Sequence, residues 1–133
     1  LLALQDLNTA YRGSIIPHII TQELISLNTI NNQTPHFWVR EKAQSSSEVD
    51  LVLQYQEIMI PIEIKSGATG SLKSLHEFIE RTKHHYAIRM YSGNFSIEKH
   101  QTPKQKKPYI LMNLPYYLGT KLFEYIDYFI KNY

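Results

Sequence analysis

Residues Glu48 to Lys65 read EVDLVLQYQEIMIPIEIK, and the fold turns on them. Val49, Leu51 and Leu53 alternate with Glu48, Asp50 and Val52. Past Gln56 and Glu57, Ile58, Ile60, Ile62 and Ile64 alternate with Met59, Pro61, Glu63 and Lys65. Period two on both arms predicts two β-strands, each with one strongly apolar face. The apolar rows must lie on the same side, because a slip of one residue sends a whole row to the wrong face. A two- or four-residue turn around Gln56 and Glu57 meets that demand; a three-residue turn does so only with a bulge. The even turn sets Asp50 opposite Glu63 and Glu48 opposite Lys65, with Cβ atoms about 4.5–5.5 Å apart.

Two carboxylates at that separation repel, so the patch calls for a cation, a shared proton or the lysine itself. A hard divalent ion bound by carboxylates, a carbonyl and water is one solution. The same alternation also describes a solvated sheet face crossed by a Glu–Lys pair. Spacing alone leaves both open.

At 133 residues the chain is long enough for a single domain with a real core. Its hydrophobic content of 43% and charged content of 20% fit a globular protein rather than a disordered one. A net charge of +2 exerts no strong pull toward nucleic acid or membrane. The absence of cysteine excludes disulfides and thiolate metal sites. No apolar run approaches the roughly 20 residues of a membrane span, and no signal peptide is visible. The expected compartment is the cytoplasm. A start at Leu1 rather than methionine is expected of a piece of a longer chain.

Elsewhere, Ile15, Ile16, Ile19, Ile20, Leu24 and Leu27 are spaced as on a helix over 14–28, with Ser14 as cap and Pro17 in the first turn. His36 to Glu41 predicts a short strand, and Ser66 to Ser71 a loop. Lys73 to Lys83 predicts a helix with Leu72, Leu75, Phe78 and Ile79 on one side. Strands are expected over 86–91, 96–101 (an edge) and 109–114, with the basic turn Pro103 to Pro108 between the last two and a final helix from about Gly119. The order is helix, three strands in a meander, helix, strand, strand, helix. The passage from Glu63 to Tyr91 is expected to cross over and make a parallel pair. The outcome is an α/β (α+β) domain, a mixed sheet flanked by helices.

A strand bearing Asp, a hairpin, a strand ending Glu-x-Lys, and helices before and after together resemble the PD-(D/E)XK nuclease fold. The likeness is closer to one branch, the uncharacterised C-terminal domain of many bacterial and archaeal AAA-type ATPases. It is carried by EVDLV at 48–52, PIEIKSG at 61–67 and LKSL at 72–75. Phe37-Trp38-Val39-Arg40, Leu114 to Gly119 and the opening Leu1-Leu2-Ala3-Leu4 extend it over nearly the whole chain. The resemblance implies a restriction-endonuclease-like core and a single domain over 1–133 that follows an ATPase module. It also implies a nuclease-like activity on DNA. Asp50 and Glu63 would ligate magnesium or manganese, with the Ile64 carbonyl as third ligand. Lys65 would position or deprotonate the attacking water.

The chain departs from the branch in its first helix. Pro17 stands where that branch usually carries a glutamate, and His18 where it carries an asparagine. Glu23 lies six residues on, about 600° around a helix and so about 120° away. The departure opens an alternative, a catalytically inactive nuclease-fold module that binds nucleic acid or protein. Lys73, after the SGATGS loop, is a candidate nucleic-acid contact or simply a helix start. Lys104, Lys106 and Lys107 form a run that could touch phosphate or face solvent. His84 and His85 are adjacent, hence on opposite faces of a strand, and do not make a metal pair. Trp38 is most economically core.

Overall fold

The computed structural model describes residues 37–39, 49–65 and 72–133. Strands β1 (Phe37–Val39), β2 (Leu51–Tyr55) and β3 (Ile58–Ile64) lead to helix α1 (Lys73–Arg81). Strands β4 (Tyr86–Tyr91), β5 (Ser96–Gln101) and β6 (Pro108–Pro115) follow, then a 3-10 segment (Tyr116–Lys121) and helix α2 (Leu122–Asn132). The strands form one mixed sheet in the order β1-β2-β3-β4-β6-β5. The helix expected over 14–28, with Pro17 and Glu23, the 66–71 loop and Glu48 lie outside the described residues.

The central hairpin has the even turn that its apolar rows require. Tyr55 pairs with Ile58, Leu53 with Ile60 and Leu51 with Ile62. Gln56 and Glu57 make the turn, and Gln56 takes a φ of 52°. Two-residue hairpin turns need a positive φ at their first central residue, which matches their twist to that of the strands. β1 completes the antiparallel meander. β3 and β4 are parallel on either side of α1, as the strand–helix–strand order requires. β6 then inserts parallel to β4 and leaves β5 as the antiparallel edge.

The sheet is covered on both faces. On one side Leu51, Leu53, Ile60, Ile62, Ile88, Met90, Met112 and Leu114 pack with Leu122, Ile126 and Phe129 of α2. On the other, Leu75 and Ile79 of α1 pack with Ala87, Tyr109 and Leu111. Each fully buried aliphatic side chain contributes about 1.5–3 kcal/mol. The hydroxyl of Tyr55 donates to Asp127 and fastens the hairpin end to α2.

Three expectations need correction. Val49 does not continue the row of Leu51 and Leu53; it joins the α1 cluster, because the chain bends at Asp50 before β2 begins. The last helix starts at Leu122, after a 3-10 segment, rather than near Gly119. The basic run is not all solvated: Lys107 folds back onto α1, where its Nζ donates to the carbonyls of Ile79, at 2.7 Å, and Thr82. The Ile79 carbonyl also accepts the N–H and the hydroxyl of Thr82, both at 3.3 Å; a cation at a helix end adds to these long bonds and meets the negative end of the helix dipole. Glu80 closes the same corner by accepting the backbone N–H groups of Lys104 and Gln105. Replacing Lys107 by methionine is expected to lower stability by about 1.5–3 kcal/mol, the scale of hydrogen bonds to a charged group. Urea unfolding followed by circular dichroism reads that loss.

Candidate functional site

At the bend ahead of β2, Asp50 sits one step beyond the Leu51–Ile62 pair and so stands across from Glu63. Its Oδ2 accepts the backbone N–H of Ile64 at 2.8 Å. The carboxylate thus takes the place of a backbone acceptor where the chain has turned away. A strand residue directs its N–H and C=O toward the same neighbour. The Ile64 carbonyl therefore also faces the Asp50 side.

Glu63 is 7% exposed, buried for a carboxylate. Its Oε1 pairs with Lys65 Nζ at 2.9 Å, two residues on and on the same face. Its Oε2 is buried and has no hydrogen-bond partner. Burial, followed by repulsion from Asp50, pushes the Glu63 carboxyl above its ordinary pKa, with Lys65 and the backbone N–H of Asp50 pulling the other way. The backbone N–H of Lys65 donates to the Met90 carbonyl at 2.8 Å, which holds this end of β3 against β4. The expected trio of Asp50, Glu63 and Lys65 is therefore brought together, with Ile64 between them.

Among the described residues no three His, Cys, Asp or Glu side chains gather into a group able to hold a metal ion. Here the chain offers two carboxylates and the Ile64 carbonyl. That is an oxygen set suited to a hard cation that keeps part of its water shell.

Beside this trio lies a polar row that pattern reading passed over. Glu63 pairs in register with Arg89, Arg89 with Asn113, and Asn113 with Ser96, so one level of the sheet is polar across β3, β4, β6 and β5. Arg89 Nε donates to Asn113 Oδ1 at 2.7 Å, and Asn113 Nδ2 donates to Ser96 Oγ at 3.0 Å. Asn113 is fully buried. The signal was present in the sequence: Arg89 and Asn113 are the lone charged and amide residues in the otherwise apolar or aromatic runs YAIRMY and YILMNLP. A polar residue in a buried central strand needs a partner, so it marks a site or a network.

The remaining candidates separate from the trio. Lys73 opens α1 and, with Leu72, His76, Glu77, Glu80, Pro103 and Lys104, lines a cleft of about 300 Å³ that includes none of Asp50, Glu63 or Lys65. His84 is structural: its Nε2 bonds the Met59 carbonyl at 2.6 Å and its Nδ1 accepts the Tyr86 N–H at 3.1 Å. Burial lowers its pKa, in keeping with a neutral ring. The Trp38 side chain lies outside what is described.

Comparison with curated proteins and with solved structures gives no match. A family model described as a domain of unknown function (DUF4143) matches residues 12–117.

The raised pKa of Glu63 has a stability consequence. A carboxyl whose folded pKa exceeds its unfolded one, about 4.3, favours folding below that unfolded value. That contribution is lost as pH rises through the folded pKa. Glu63→Gln is therefore expected to raise the melting temperature at pH 7 in metal-free buffer, with the difference vanishing toward about pH 4. Thermal melts of both proteins across that range check it.

Proposed function

The chain belongs to the DUF4143 family, and we propose that it is a nuclease-like domain that binds a divalent ion at Asp50 and Glu63 and acts on the phosphodiester backbone of DNA. The observation that carries this reading is Glu63 Oε2, buried without a partner across from Asp50 while its sister oxygen is held by Lys65. A buried anionic oxygen is costly unless something pairs with it. Magnesium or manganese would satisfy it and relieve the repulsion between the two carboxylates.

Asp50, steadied by the Ile64 N–H, and Glu63 would hold the ion, with the Ile64 carbonyl on the same side. When bound, such an ion lowers the pKa of coordinated water and stabilises charge developing on phosphorus. Lys65 orients Glu63 and brings an ammonium to the point where a phosphate would approach. The restriction-endonuclease-like core and an AAA-type ATPase module ahead of this domain belong to the same proposal, resting on the sequence resemblance. Pro17, at the place of the helix glutamate, favours a second reading in which the domain binds metal and DNA without cutting.

Calorimetric titration of manganese and magnesium into the protein, beside Asp50→Ala and Glu63→Ala, tests the proposal. One site in the parent and none at millimolar metal in either variant is expected. An unchanged isotherm in Asp50→Ala would contradict it. Cleavage of single- and double-stranded DNA by the metal-loaded parent separates the two readings.

A further inference from the structure

Asp50 and Glu63 occupy the β3 end of a polar row, and the next place in it, on β4, carries a cation of a different kind. Arg89 forms no ion pair with any described residue. Its Nε is held by a neutral amide, Asn113 Oδ1, at 2.7 Å. Its guanidinium carbon lies 5.0 Å from the centre of the Tyr91 ring. That ring is itself fixed: its hydroxyl donates to the Asn94 carbonyl at 2.7 Å, and Gly93 lies close against it. A Cβ at Gly93 would come within 2.5 Å of the ring. Amide, aromatic face and glycine thus set the arginine in place, and among the described residues its charge has no carboxylate paired to it. Glu98, whose Oε2 is bonded to His100 at 2.7 Å, feels the Arg89 charge, and Glu63 is the in-register neighbour of Arg89 on β3.

Position strengthens the point. Glu63, Arg89 and Asn113 lie toward the C-terminal ends of β3, β4 and β6, which run parallel. One pleat back on the same face, Ala87 and Leu111 pack under α1. Open α/β sheets bind ligands outside the carboxyl ends of their parallel strands. Neighbouring strands lie about 4.8 Å apart, so the level of Arg89 is one strand away from the carboxylate pair.

We infer that Arg89, positioned by Asn113 and Tyr91, binds a backbone phosphate of the nucleic acid next to the phosphodiester that reaches Asp50 and Glu63. The inference deepens the proposed function and rests on it for the identity of the anion. A guanidinium presents a planar fork that fits phosphate oxygens, and one held by a neutral amide keeps its full charge for them.

The test is fluorescence anisotropy of a labelled DNA duplex with the 133-residue protein over a range of potassium chloride, once with calcium and once with EDTA. Each phosphate neutralised contributes about 0.9 to the slope of log K against log salt. Arg89→Ala is expected to reduce the slope by about one in both conditions. Arg89→Lys is expected to keep the slope and bind more weakly, because it retains the charge and loses the fork. Should Arg89→Ala not fold by circular dichroism, Arg89→Gln carries the same expectation. A folded Arg89→Ala or Arg89→Gln with the parent slope overturns the inference, as does a parent that binds no duplex at low salt. The EDTA arm keeps the result readable whatever calorimetry says of the metal site: a changed slope without a metal site sinks only the metal reading.

Discussion

Everything at the candidate site follows from the register of the β2–β3 hairpin. Leu51 opposite Ile62 and Leu53 opposite Ile60 bury both apolar rows against α2. A shift by one residue would expose them, at about 1.5–3 kcal/mol for each side chain. That constraint also fixes what lies on the other face. Asp50 must fall across from Glu63, although two carboxylates there repel each other. Core packing thereby sustains an electrostatic arrangement that would not form on its own. Lys65 offsets the repulsion only in part, since it reaches one of the Glu63 oxygens.

The second layer of control is burial. α1 packs on one face of the sheet against Ala87, Tyr109 and Leu111, and Val49, one residue before Asp50, joins the same cluster. In the polar row on that face Glu63 is almost buried and Asn113 fully so, and desolvation of this kind strengthens electrostatic interactions. A solvated sheet face, the alternative open at the level of spacing, does not match a Glu63 that is 7% exposed with an unpartnered buried oxygen. At the end of β3 the Lys65 N–H is tied to the Met90 carbonyl. At the opposite end the Lys107 side chain closes the C-terminal end of α1.

What could be read from the chain was what periodicity controls. The alternation of isoleucines gave the hairpin, its even turn and the meeting of Asp50 with Glu63. The strand–helix–strand spacing gave the parallel β3–β4 pair. Other features depend on contacts between residues far apart in sequence. Val49 crosses to the α1 side because the backbone bends at Asp50, which no two-residue period records. Arg89, Asn113 and Ser96 become neighbours only when β6 inserts between β4 and β5. Lys107 looked like one more cation in a basic turn, and its role is set by the carbonyls of Ile79 and Thr82 more than twenty residues away. Resemblance supplied the roles of the trio, and geometry supplied a reason for them in the orphaned Glu63 oxygen.

The central claim is that Asp50 and Glu63 are held together to share a cation. The most direct measurement is anomalous diffraction from crystals of the protein soaked in millimolar manganese. The account predicts one strong peak within bonding distance of Asp50 and Glu63 Oε2, with the Ile64 carbonyl in its coordination sphere. Crystals with no anomalous density there, and a Glu63 Oε2 bonded instead to a protein group, would contradict it.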